Sequence, residues 1–438
     1  MNSARVIGAG LAGCEAAWQL AERGVPVLLH EMKPEKSTPA HHSPAFAELV
    51  CSNSLRGDSL ENAPGLLKEE LRRAGSLILR CADAARVPAG GALAVDRERF
   101  SGMVTQRIQE HPHIQVVPGE VETVAEDLPA IVATGPLTAG ALADWIQSVC
   151  GGREYLSFYD AAAPIVFSES IDMSRAYYAS RYGKGSADYI NCPLSEEEYQ
   201  AFWEELCAAE EAPVHGFEDK KVFEGCMPVE VMARRGRDTL LFGPLKPVGL
   251  QDPKTGRDPF AVVQLRQDDS TGSLYNLVGF QTHLKFGEQK RVFSMIPALQ
   301  HAEFARYGVM HRNSYIDSPR LLRADFSMRD REELYFAGQM TGVEGYIESA
   351  ASGLVAGLSL ARRLRGLAAA ELPRECALGA LGTYISDPLI EKFQPMNINF
   401  GLLPPLGRRV KGKRNKNAEI SKRALAALDM WIAGGGLR

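Results

Sequence analysis

Arg5–Pro34 reads RVIGAGLAGCEAAWQLAERGVPVLLHEMKP, and its apolar residues and glycines are spaced as a strand, a turn, a helix and a second strand. Val6 and Ile7 supply the first strand. Gly8, Ala9, Gly10, Leu11, Ala12 and Gly13 form the turn, and Ala16, Ala17, Leu20 and Ala21 make one helix face before Gly24 ends it. Val25 to His30 then make a buried strand that ends at Glu31. In such a loop the first glycine permits the tight turn, the second lets a pyrophosphate approach the backbone, and the third lets helix and strand pack closely. The phosphates meet the positive end of the helix. Glu31 follows Gly8 by 23 residues, near the spacing at which a carboxylate accepts hydrogen bonds from a ribose. A bare G-x-G-x-x-G also serves packing alone. The strand before it, the helix after it and the acid beyond point to a bound dinucleotide.

Two later stretches extend this frame. Leu128–Gly135, LPAIVATG, is an apolar strand ending in Ala-Thr-Gly. Leu334–Gly357, LYFAGQMTGVEGYIESAASGLVAG, is a strand, a glycine loop and a small-residue helix. It resembles the closing segment of glutathione-reductase-type FAD proteins, where a helix N-terminus faces the flavin. That likeness implies FAD rather than NAD and brings in Gly338, Gln339, Gly345 and Tyr346; the bland alternative is an ordinary second strand–helix unit. Between the two lie short β-like runs (Ala163–Phe167, Leu240–Phe242, Ala261–Arg266, Leu274–Phe280) and an acidic amphipathic helix over Ser195–Glu211. The expected fold class is therefore α/β: a Rossmann-like FAD-binding domain of the glutathione-reductase type with an inserted α+β domain. Its parts are residues 1–150 and 326–400 for the flavin domain, 151–325 for the insert, and 401–438 for a basic C-terminal segment.

Composition narrows the function classes. The chain has 438 residues, 45% hydrophobic and 24% charged, which excludes a mainly disordered or collagen-like chain. Eight cysteines are scattered with no C-x-x-C pair, so neither a disulfide framework nor a dithiol reductase is expected. Leu11-Ala12-Gly13-Cys14 looks like a lipoprotein cleavage site, but cleavage there would destroy the glycine loop. No run approaches the ~18 apolar residues of a spanning helix. A cytoplasmic protein with no membrane partner and no metal is expected. Net charge is −5, yet RRVKGKRNKNAEISKR at Arg408–Arg423 carries eight Lys or Arg against one Glu. Charge alone fits either a polyanionic partner or a solvated basic tail. No second strand-associated G-x-G-x-x-G exists to hold a pyridine nucleotide in its own domain.

Cys51 lies in FAELVCSNSLRGDS, beside polar donors and Arg56, and Cys226 precedes Arg234, Arg235 and Arg237. Taken singly, each fits an inert core thiol as well as a reactive one. Five blocks together change this: GAGLAGCEAA, CSNSLRG, EGCMPVEVMARRG, GFQTHLKFGEQKRVFSMIP with HAEFARYGVMHRNSYI, and FAGQMTGVEGYIESAASGLVAG. They closely resemble the bacterial folate- and FAD-dependent tRNA (uracil-5-)-methyltransferases, from Val6 to the basic segment. A larger sibling family that modifies wobble uridines carries an extra C-terminal helical domain; a sequence ending soon after its basic segment is expected to be the methyltransferase.

The resemblance implies methylation of carbon 5 of a tRNA T-loop uridine. 5,10-Methylenetetrahydrofolate gives the carbon, reduced FAD the hydride, and NAD(P)H recharges the flavin. Carbon 5 of uracil is a poor nucleophile until a thiolate adds to carbon 6. Cys51 and Cys226 match the family's two functional cysteines. Cys226 is assigned to the uracil and Cys51 to the flavin side, handling methylene transfer or the carbon 5 proton, with the reverse division left open. His283 is expected to lie against a pterin, or to be a satisfied structural histidine. Lys285, Lys290 and Arg291 would meet a folate glutamate tail or RNA phosphates, and Tyr346 would pack on the flavin or in the core. Arg408, Arg409, Lys411, Lys413 and Arg414 would hold RNA phosphates. Two other classes compete: a flavin-dependent NAD(P)H oxidoreductase, and a non-catalytic flavin-binding protein that associates with tRNA.

Overall fold

The structure is a computed structural model that describes residues 3–152, 156–183, 186–212 and 227–438. The opening unit forms as its spacing predicts: β1 (Ala4–Ile7), α1 (Leu11–Ala21) and β2 (Val27–Glu31). Five parallel strands run in the order Leu334–Phe336, Ala130–Val132, β1, β2, Ile114–Pro118. Both later stretches thus join β1 on one side. Their glycine loops end at the same edge of the sheet, outside the carboxyl ends of the strands, where open α/β sheets bind ligands.

The helix Tyr346–Leu364 lies directly on α1. Small residues make this possible. A Cβ on Gly353 would fall 2.1 Å from the Ala12 carbonyl oxygen, and one on Gly357 2.6 Å from that of Ala16, so the two backbones touch. Every residue of α1 is buried between this helix and neighbouring elements.

The insert is a six-stranded antiparallel sheet, in the order Tyr177–Ala179, Tyr189–Leu194, Ala261–Gln267, Leu274–Leu277, Ile165–Phe167, Phe304–Arg306. An antiparallel pair, Leu156–Ala161 with Met310–Tyr315, brackets it in the chain. The acidic helix spans Glu196–Ala208 and starts with a capping box between Ser195 and Glu198; it buries Tyr199, Phe202 and Leu206. Leu240–Phe242 departs from its strand expectation. It lies in a 3₁₀ turn, Thr239–Phe242, with Leu240 buried and Phe242 84% exposed, because three apolar residues before Gly243 have no strand to pair with.

Two regions were not foreseen. Residues 54–109 fold into a small antiparallel sheet (Ser54–Gly57, Ala92–Val95, Arg86–Val87) with helices Ala63–Arg73, Leu77–Ala84 and Arg97–Gln109. The basic segment is no loose tail: Lys413–Ala433 is a helix of 21 residues that buries Ile420, Ala424 and Leu428, one turn apart. It docks beside the helix Ala63–Arg73, where Ser421 Oγ donates to the Leu60 carbonyl at 2.6 Å and Asn417 Nδ2 to that of Glu61 at 2.9 Å.

Candidate active site

The glycine loop and the Leu334–Gly357 segment open on one cavity of about 630 Å³. Its glycines divide the work. Gly8 sits at φ +94°, and a Cβ there would strike the Ala133 carbonyl oxygen at 2.7 Å. At Gly13 a Cβ would fall 1.8 Å from the Gly8 oxygen. Gly10, the N-cap of α1, has no protein atom within 4 Å of a built Cβ, although it lines the cavity. The first and third glycines serve the fold; the space in front of the second is left for a ligand. Ala9, Leu11 and Ala12 border the same cavity. Glu31 closes this end: its carboxylate accepts from Ala9 N–H at 2.7 Å and Lys33 N–H at 2.9 Å.

A second helix start borders the same cavity. Gly338 (φ +86°) donates its N–H to Ser352 Oγ at 2.7 Å, and Gly345 (φ +113°) caps the helix Tyr346–Leu364. Gln339 borders the cavity, its amide donating to the buried Glu344 at 2.6 Å. Two helix N-termini converging on one cleft, with a carboxylate at ribose distance along the chain, fit the two phosphates and sugar of FAD.

Cys51 lines the same cavity. Its loop is held at several points. Tyr346 is the nearest strut, its hydroxyl accepting from Cys51 N–H at 2.8 Å and Ser52 N–H at 3.1 Å. Burial, with the neighbouring Cys51, pushes the Tyr346 phenol far up, so it stays protonated. The Cys51 thiol faces the Ala161 carbonyl, Sγ to O 3.6 Å, on the strand that leads into the insert. From the insert, the buried Arg266 donates to Ser52 Oγ at 2.8 Å and Asn53 Oδ1 at 3.1 Å. Asn53 in turn donates to the Gln267 carbonyl at 2.9 Å. Both domains therefore fix this loop. Arg56, at φ +63°, pairs with Glu348, which is fully buried in the first turn of Tyr346–Leu364.

Beneath the loop, the buried Lys68 donates to the carbonyls of Leu55 at 2.9 Å and Gly57 at 2.8 Å. Burial lowers its ammonium from 10.5 to about 8. Below that pH folded and unfolded chains both carry the charge. Between about 8 and 10.5 the folded chain releases the proton first, so stability rises with pH across that window. Lys68→Met is expected to destabilise the protein by about 1–3 kcal/mol, by leaving these carbonyls unpaired, and to abolish the rise. Chemical denaturation of both proteins at pH 7 and pH 10 measures this.

The remaining residues singled out from sequence lie elsewhere. His283 is buried, with Nδ1 3.4 Å from Glu211 and its backbone N–H donating to Glu230 at 2.7 Å; it does not border the cavity, whereas Gln281 does. Contact with a pterin requires the ring to turn out of that pair. Lys285 is paired with Glu210, and Arg291 with Glu205 and Glu288. Arg408 pairs with Glu419 and Arg414 with Glu61, while Arg409, Lys411 and Lys413 are exposed. Cys226 lies outside the described residues. Among the described residues no group of three His, Cys, Asp or Glu is placed to hold a metal, and no helix is long and apolar enough to cross a membrane. Arg266 and Lys68 escaped the sequence. The only signal for Arg266 was a charge inside the apolar strand Ala261–Gln267.

The fold and the cleft define a Rossmann-like FAD-binding protein with an inserted α+β domain. Two solved structures agree on architecture: two crystal forms of Aquifex aeolicus GidA align with TM-scores of 0.72 and 0.70 over 100% of this chain and 74% and 76% of theirs, at 15% identity. The family model "Glucose inhibited division protein A" matches residues 3–368. A relative from Desulfitobacterium hafniense, named methylenetetrahydrofolate--tRNA-(uracil-5-)-methyltransferase TrmFO, is 60% identical over 437 residues, covering 100% of both chains. One of the same name from Heliobacterium modesticaldum is 59% identical, covering 98% of this chain and 97% of its own. The chain belongs to the glucose-inhibited division protein A family and, within it, to the TrmFO group of tRNA (uracil-5-)-methyltransferases.

Proposed function

We propose that this protein methylates carbon 5 of a tRNA T-loop uridine in the cytoplasm, taking carbon from methylenetetrahydrofolate and hydride from reduced FAD that NAD(P)H regenerates. One observation carries the proposal: the dinucleotide loop and the Cys51 loop open on a single cavity, in a chain 60% identical to a named methyltransferase. When bound, FAD and the folate supply the hydride and the one-carbon unit. The protein contributes two thiols. Cys226 adds to carbon 6 of the uracil, and Cys51 serves the flavin side of the site. Tyr346 holds the Cys51 backbone, and Arg266 holds Ser52 and Asn53 beside it, so that the thiol meets a base turned out of the RNA. His283, Lys285 and Arg291 are assigned to the folate and RNA side, released from their acidic partners when substrate enters. The test is chemical: FAD-loaded protein, labelled methylenetetrahydrofolate, NADPH and unmodified tRNA should yield labelled 5-methyluridine. Flavin reduction without label in the RNA would favour a plain NAD(P)H oxidoreductase.

Charge placement supports an RNA partner. Lys413 and Arg414 occupy the first turn of the C-terminal helix, and that turn holds no acid. Cations at the positive helix end cost about 0.3–1 kcal/mol each, a cost that a phosphate backbone reverses. Replacing Arg409, Lys411 and Lys413 together by Ala is expected to reduce the salt slope of tRNA binding by about 2 to 3. Filter binding across a salt series, with thermal melting as the folding control, reads this directly.

A further inference from the structure

A three-ring stack stands on the insert, one residue from Gly308, which packs on the cavity-lining Ala162. Phe286 and Tyr307 are 5.1 Å apart between centroids at 17°, and Tyr307 and Phe304 5.2 Å at 15°. Near-parallel rings at this spacing form a continuous flat aromatic face, the offset-stacked arrangement that ring quadrupoles favour alongside edge-to-face contact. The end ring, Phe286, is 55% exposed. One buried amide braces the stack. Gln289, fully buried, donates to the carbonyls of Leu284 at 2.7 Å and Gly308 at 2.8 Å and accepts from Gly308 N–H at 2.8 Å. This secures Gly308, next to Tyr307, and Leu284, two residues before Phe286.

The stack is also tied to the chemistry. A Cβ on Gly308 would sit 2.5 Å from the carbonyl oxygen of Ala162, which lines the cavity. Ala161, one residue earlier, meets the Cys51 thiol. Phe286 itself lies five residues beyond Gln281, another lining residue. Charge completes the surface. Lys290 is one helical turn from Phe286 on the helix Phe286–Phe293, exposed and without an ion pair among the described residues, whereas its neighbours Lys285 and Arg291 are neutralised.

We propose that Phe286, backed by Tyr307 and Phe304, stacks a base of the RNA loop next to the extruded uridine, with Lys290 on the adjoining phosphate. A preformed aromatic face beside a free cation is how single-stranded and loop RNA is held. The proposal rests on the tRNA reading above and names where the loop is gripped.

The test uses the FAD-loaded full chain and unmodified tRNA. Phe286→Ala is expected to weaken tRNA binding about 10- to 100-fold, with flavin content and melting temperature unchanged, while Phe286→Trp retains binding. Lys290→Ala should weaken binding a few-fold and lower the salt slope by about one. Wild-type tRNA affinity in Phe286→Ala would overturn the platform alone. An altered KM for methylenetetrahydrofolate with unchanged tRNA affinity would assign the ring to the folate and overturn it as well. A wild-type protein that does not bind tRNA would overturn both the platform and the RNA reading.

Discussion

Cys51→Ala is expected to lower tRNA methylation by about 10³-fold or more, the scale on which losing a covalent group acts, while the purified protein stays yellow and binds tRNA normally. The separation follows from how the loop is held. Its position depends on backbone N–H groups donating to Tyr346, on Arg266 against Ser52 and Asn53, and on Lys68 beneath Leu55 and Gly57. None of these contacts involves the thiol. Removing sulfur therefore takes away a reactive group and leaves its mount in place. Single-turnover label transfer, flavin absorbance and tRNA binding on the same preparation check the three parts together. Methylation within tenfold of wild type would remove Cys51 from the chemistry.

The second large effect is a contrast between two glycines three residues apart. Gly13→Ala places a Cβ 1.8 Å from the Gly8 carbonyl oxygen, a backbone atom that cannot move without opening the turn. Overpacking of that kind costs about 1–3 kcal/mol or more, and both folding and flavin retention should suffer. Gly10→Ala meets no protein atom within 4 Å. Its apoprotein should melt as wild type does, yet bind FAD at least about tenfold more weakly, because the methyl occupies space that the pyrophosphate needs. Melting curves of apoprotein and FAD titrations distinguish the two. Equal flavin affinity in Gly10→Ala and wild type would mean that the dinucleotide lies elsewhere.

How much the sequence revealed depended on the distance over which each meaning is defined. The glycine loop, Glu31 and the Leu334–Gly357 segment are local patterns whose spacing already implies a strand, a turn and a helix, and the α/β class followed from them. The short strand Leu240–Phe242 failed for the converse reason: three apolar residues carry no period, and only their neighbours decide. Cys51 looked like any thiol until its block was compared with a family. Arg266 and Lys68 gain their roles from contacts with Ser52, Asn53 and the carbonyls of the loop, which no spacing rule describes. The basic segment was legible as charge and not as structure, because its apolar residues, one turn apart, are diluted by the lysines and arginines around them. The ring stack is a further case. Phe304 and Tyr307 are three residues apart, but Phe286 reaches them only through the fold of the insert, and no spacing rule marks three rings as a stack.

The order of strands in the parallel sheet has a consequence for synthesis. Leu334–Phe336 pairs with Ala130–Val132, and roughly two hundred residues separate them. At about 5–20 residues per second, the ribosome delivers the edge strand roughly 10–40 s after its neighbour. For that interval the nascent sheet has an unpaired apolar border and only half of its nucleotide cleft, while the antiparallel insert is being extruded. The cleft is therefore complete only after Leu334–Leu364 has emerged, and the half-made chain is the form whose apolar edge most needs cover.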